Sequence, residues 1–259
     1  MVKGIEKFKE FFSEFENSYV IIGGTACEIH EEIYAQSPRA TKDIDIILVV
    51  EALSSEFVSK FWEFVKTAKY EQRNKGTNDG NERAHEYYRF MKPSDTDFPY
   101  QLELFSRKIG LLNFPEDAHI TPIPTDEDLS SLSAILMNDD YYNFTITHSS
   151  MEEGVHIANV ESLICLKCKA FLEMTDRKSN GEQVDCKHIM KHKKDVFRLA
   201  AMLAPADKFN DVPQMLKNDI LNFYEAVKKE LPNSDFFKSA GLPGISGEQL
   251  LEQLKKSFL

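Results

Sequence analysis

The chain is poor in the features that mark secreted or membrane-bound proteins. No apolar run approaches the roughly 18 residues of a membrane-spanning helix. The start, Met1-Val-Lys-Gly-Ile-Glu6, lacks the apolar core of a secretory signal. Only four cysteines occur, at 27, 165, 168 and 186, and they form no paired framework. Reduced thiols in a cytoplasm fit that usage best. The one close pair, Cys165-Leu-Lys-Cys168, falls in an expected helix, and without a second pair zinc is not expected. There is no internal repeat and no low-complexity tract. A formal net charge of −11 argues against a protein coated with nucleic acid, though not against a local basic patch.

What is present is ordinary for a globular chain. Of 259 residues, 42% are hydrophobic and 28% charged, enough for one large domain or two modest ones. Ile5, Phe8, Phe12 and Phe15 predict a helix over 3–16. Val20-Ile-Ile22 reads as a buried strand, turned by Gly23-Gly24. A helix is expected from Thr25 to Gln36, ended before Pro38. Ile44 to Val50 reads as a second strand, with Asp43 and Asp45 at its start. Ser54 to Lys66 is helical by its stripe of Phe57, Val58, Phe61, Trp62 and Val65. The polar stretch 71–86 predicts a loop. Tyr87 to Met91 and Tyr100 to Phe105 predict a hairpin around the turn residues 92–99. Residues 110–125 hold three prolines and little periodicity. A short helix is expected over Asp126 to Met137, and strands over Phe144 to His148 and Val155 to Ala158. Beyond Asn159 the pattern is helical: Val160 to Met174, Val184 to Leu203, Val212 to Leu231 and Ser246 to Leu259. Pro213 suits a first turn, and Ser246 with Gln249 has capping-box spacing. The change of character puts a boundary near 155–160, hence an α/β domain over 1–158 and a helical one over 159–259.

Asp43 and Asp45 carry the chemistry most plainly. Alternate residues of a strand share a face. Two carboxylates so placed repel each other, and a divalent cation removes that conflict. The alternatives are a strand edge in solvent, which the apolar run after Asp45 disfavours, and Asp43 as the cap of a turn. Glu103, polar within Gln101-Leu-Glu-Leu-Phe105, would add a third hard oxygen ligand suited to Mg²⁺, or would simply face solvent. Gly23, Gly24 and Thr25 lie between strand and helix, where backbone N–H groups and a hydroxyl can receive phosphate. Lys167 falls on the apolar stripe of its helix. It either snorkels out or reaches a nucleotide phosphate from the helical domain. Asp195 borders a stripe and either pairs with Lys191 or Arg198 within its helix or orients Lys167. His188 and His192 have i, i+4 spacing but read as surface residues. Residues 167–198 hold nine Lys or Arg and five acids, net +4 in an acidic chain. Such an island suits a triphosphate or an RNA, or is a solvated face.

Gly23-Gly24-Thr25 followed by Arg39-x-Thr41-x-Asp43-Ile-Asp45 resembles the signature of the nucleotidyltransferase superfamily. More narrowly it resembles the AbiEii-type toxins of type IV toxin–antitoxin systems. Leu166-Lys167-Cys-Lys-Ala-Phe-Leu172 is similar to that family's lysine-bearing helix, and Lys193-Lys-Asp195-Val-Phe-Arg-Leu199 to its last motif. Thr25 stands where the superfamily usually has serine, and Arg198 where the last motif often has a second acid. The resemblance covers roughly residues 18–203. It implies an α/β (α+β) nucleotidyltransferase-like core with a mixed sheet, followed by an α-helical C-terminal domain. It implies transfer of a nucleoside monophosphate from NTP to an acceptor, with Mg²⁺ on Asp43 and Asp45. Gly23, Gly24, Thr25, Arg39, Thr41 and Lys167 would bind nucleotide, and Asp43, Asp45, Lys167 and Asp195 would be catalytic. Glu103 as a third metal ligand comes from the strand pattern. The acceptor expected is an RNA such as tRNA, with an antitoxin as partner and no membrane. The rival expectations are an inactive nucleotide-binding scaffold and an adenylyltransferase acting on a small molecule such as an antibiotic.

Overall fold

The computed structural model of the chain describes residues 2–38, 41–70, 87–105 and 138–259. Strand β1, Tyr19–Ile22, is buried along its whole length, as its β-branched and aromatic side chains require. It leads directly into helix α2, Gly23–Ile33, so both glycines belong to the helix start. Helix α1, Ile5–Phe12, precedes it and is shorter than its pattern suggests. A turn of 3₁₀ helix at Glu16–Ser18 then leads into β1. β2, Asp43–Leu48, returns antiparallel to β1. After helix α3, Ser55–Ala68, capped by the Ser54 hydroxyl, come β3, Tyr87–Met91, and β4, Gln101–Phe105.

Among the described residues these strands join β5, Ser149–Glu152, and β6, Val155–Ala158, in one mixed six-stranded sheet, in the order β3-β4-β2-β1-β6-β5. The expected hairpin forms: β3 and β4 are antiparallel. β2 runs parallel to β4, and β1 parallel to β6. The register sorts the faces. Tyr19, Ile46, Leu104 and their neighbours Ile44, Leu102 and Phe90 lie on one of them. Helices α1 and α3 cover that face with aromatic rings. Phe8 meets Tyr19 edge-on at 5.1 Å, and Phe61 meets Phe90 at 5.6 Å. Such pairs contribute about 0.5–1.5 kcal/mol each beyond their burial. The dry face thereby assigns Asp45 and Glu103 to the opposite side.

The described residues divide into two compact units. The sheet with its aromatic layer is the first. The second takes Ile33–Ser37, the residues leading to His148, and Asn159–Leu259. Its elements are helices: α4, Asp139–Thr147; α5, Val160–Ser179; α6, Cys186–Ala200; α7, Gln214–Lys229; the short α8, Ser234–Ser239; and α9, Gly247–Phe258. Phe171 packs on Phe223 at 5.1 Å, and Phe197 on Phe237 at 5.0 Å. The strand expected over Phe144 to His148 is not one: these residues finish α4. Asn138 starts that helix by accepting the N–H groups of Asp140 and Tyr141. Tyr141, Phe144 and Thr145 are then buried at helical spacing. The loop expected over 71–86, the proline-bearing 110–125 and the helix expected over 126–137 lie outside the described residues.

Candidate functional site

One row across the sheet holds the chemistry. Ile22 of β1 lies opposite Asp45 of β2, Asp45 opposite Glu103 of β4, and Glu103 opposite Arg89 of β3. Asp43 is two residues before Asp45, on the same face. Glu103 is buried at 5% exposure, so it does not face solvent as an amphipathic strand residue would. Burial pushes its carboxyl up to about 8, helped by Asp45 and Asp43 and opposed by Arg89. The guanidinium Nε of Arg89 donates to Glu103 Oε1 at 2.9 Å, and the Gln101 amide donates to the same oxygen. Asp43 and Asp45 thus each disfavour a charge on Glu103. Hard carboxylate oxygens of this kind suit Mg²⁺. Among the described residues no three or more His, Cys, Asp or Glu stand together as a metal-holding group. Asp43 and Asp45 are the pair that would hold a cation, while Glu103 is engaged by Arg89.

The glycine turn meets this row directly. Gly23 adopts φ 69°, a left-handed conformation that favours glycine. A β-carbon there would overlap the Asp45 carboxylate. The first N–H groups of a helix such as α2 lack intrahelical partners and can receive an anion. Thr25 is fully buried, and its hydroxyl donates to the Asp43 carbonyl at 2.6 Å. Thr41 is tied to α2 through its N–H, which donates to Glu28 Oε2 at 2.8 Å. Arg39 lies outside the described residues.

The other expected residues belong to the second unit. Lys167 does not snorkel. It is 6% exposed, and its Nζ lies 2.8 Å from Asp195 Oδ2, itself 3% exposed. Asp195 thus meets Lys167 of α5. Arg198 is buried and donates to the carbonyls of Ala240 and Ser37, a packing role. His192 is not a surface histidine: its Nδ1 is buried without a hydrogen-bond partner. Burial and then the charge of Lys167 push its protonation down to about 3. Much of the basic island is paired locally. Lys169 meets Glu173 and Asp219, and Arg177 meets Glu182.

Sequence reasoning missed Arg89 and Glu28. Arg89 had a signal, a charge between Tyr88 and Phe90 in a predicted strand. Glu28 had none, since a glutamate within a helix is unremarkable until the helix is docked. Among the described residues no helix is long and apolar enough to cross a membrane. Compared with protein-family models, with curated proteins and with solved structures, the chain has no match.

Proposed function

We propose that the chain is a Mg²⁺-dependent nucleotidyltransferase that moves a nucleoside monophosphate from NTP to an RNA acceptor of the tRNA kind. The observation that carries this is the contact of Gly23 with the Asp45 carboxylate, which puts a helix N-terminus beside an aspartate pair. When bound, Mg²⁺ supplies charge neutralisation on the triphosphate and a template for in-line displacement. Asp43 and Asp45 hold that charge at the end of β2. The backbone N–H groups at the start of α2 receive phosphate oxygens, and the absent Gly23 side chain lets the Asp45 carboxylate lie against that helix start. The acceptor hydroxyl attacks Pα and gives its proton to water, as the bond from Pα to the bridging oxygen breaks and pyrophosphate leaves. Lys167 is assigned to phosphate charge and Asp195 to holding Lys167. The order of motifs, glycines then Asp-x-Asp then lysine then aspartate, supports a nucleotidyltransferase-like core with a helical C-terminal domain. The same order supports a toxin-like role with an antitoxin as partner.

The test is incubation with labelled NTPs, Mg²⁺ and total RNA. Transfer that the double substitution Asp43→Ala, Asp45→Ala abolishes supports the reading. No transfer, or transfer that survives it, overturns it. One observation favours a second reading, a nucleotide-binding scaffold without turnover: Glu103 is engaged by Arg89. Calorimetry would then show NTP binding with Mg²⁺ and no release of pyrophosphate.

A further inference from the structure

β1 stops at Ile22, opposite Asp45. Continued in that register, it would place residues 24 and 26 opposite Asp43 and Thr41. The chain instead turns into α2, which removes the ladder partner from one edge of β2 just where Asp43 sits. Two side chains of α2 take the ladder's place. Thr25 donates its hydroxyl to the Asp43 carbonyl at 2.6 Å, and Glu28 accepts the Thr41 N–H at 2.8 Å. Residues 25 and 28 are three apart and share a helix face. In extended chain, residues two apart present their N–H and C=O groups to the same edge. The helix face and the strand edge therefore match in spacing. Both side chains are buried, at 0% and 3% exposure, so water does not compete for these bonds. On its other edge β2 is held by β4 from Asp43 onward.

Asp45 is thus fixed by strands on both sides, and Asp43 by a strand and by α2. Two carboxylates bind one cation well only when held within about 0.5 Å of their productive positions. We propose that Glu28 is a positioning residue for the Asp43–Asp45 pair, setting the approach to β2 so that both carboxylates meet one divalent cation. The inference rests on that pair being the cation site.

The probe is Mn²⁺ alone, with the free ion followed by electron paramagnetic resonance on variants shown to be folded by circular dichroism. The wild type should bind, and Asp45→Asn should not. Glu28→Ala should weaken binding about ten-fold, the order expected for losing one buried hydrogen bond to a charged group. Glu28→Gln keeps an oxygen acceptor for the Thr41 N–H and should bind within about two-fold of wild type, on the same hydrogen-bond scale. Should Glu28→Ala fail to fold, Thr25→Val removes the companion bond and is expected to weaken Mn²⁺ binding likewise. A folded Glu28→Ala, or Thr25→Val in its place, that binds as wild type overturns the inference and leaves the cation site standing. So does a Glu28→Gln variant as weak as Glu28→Ala. A wild type that binds no Mn²⁺, or no better than Asp45→Asn, overturns the cation site itself and this inference with it.

Discussion

Gly23 concentrates two constraints on one atom. Its φ of 69° disfavours any side chain, and a β-carbon would overlap the Asp45 carboxylate. Left-handed backbone costs an alanine about 1–2 kcal/mol, before the clash is counted. Gly23→Ala is therefore expected to lower the thermal midpoint and to abolish NMP transfer, whereas Gly24→Ala, with no such φ, should be milder. A thermal melt beside the labelled transfer assay checks both. Glu103 makes a prediction in pH. Its folded carboxyl is raised to about 8 from the ordinary 4.5, mainly by burial and next by Asp45. The neutral form is the one the fold favours, so the stability linked to it is full below 4.5 and is lost as pH rises through 8. Glu103→Gln cannot titrate. It should be more stable than wild type at pH 8, with the difference shrinking by pH 5. Urea denaturation at the two pH values measures this. Mg²⁺ added at pH 8 should raise the wild-type midpoint and leave Asp45→Asn unmoved.

At the scale of elements, the hairpin and β1 were readable because their patterns are strong and local. Val20-Ile-Ile22 and Gln101-Leu-Glu-Leu-Phe105 have one sensible period. The segment 139–147 has two. Phe144, Ile146 and His148 alternate with Thr145 and Thr147 as a strand would, while Tyr141, Phe144 and Thr145 suit a helix. The cap at Asn138 and the acids Asp139 and Asp140 decide it, because they satisfy and complement the helix N-terminus. Glu28 and Lys167 were opaque for another reason: each depends on a partner distant in sequence. The α5–α6 pairing yields a test. Lys167 and Asp195 are buried together, so Asp195→Leu alone removes the carboxylate 2.8 Å from a buried cation and should cost about 3–5 kcal/mol. Restoring apolarity with Lys167→Met in the same chain should recover most of that loss. A double-mutant cycle by chemical denaturation measures the coupling. A refolded double variant that still transfers NMP would remove Lys167 and Asp195 from the chemistry and leave them a packing pair.

For the whole molecule, the question is whether an acidic chain can take an RNA acceptor. The net charge is −11, and residues 167–198 carry +4. The structure uses part of that excess internally, in Lys167 with Asp195 and Arg177 with Glu182. Lys187 and Lys191 stay exposed on α6, with Lys194 half-buried a turn further on. They recur at i, i+4 and i+7, one face of the helix, near Phe236, over whose ring the Lys194 ammonium sits at 5.9 Å. Phosphate contacts made by such a face weaken as salt rises, because bound counterions are released on association. Charge reversal of Lys187, Lys191 and Lys194 to Glu should therefore depress labelling of RNA strongly at low salt. The salt dependence of what remains should flatten. A small hydroxyl acceptor has no backbone to steer, so its labelling should be untouched by the same three changes. Equal losses with both acceptors would move the effect to the nucleotide, and no loss with either would make this basic face a solvated surface and leave the small-molecule acceptor as the better reading.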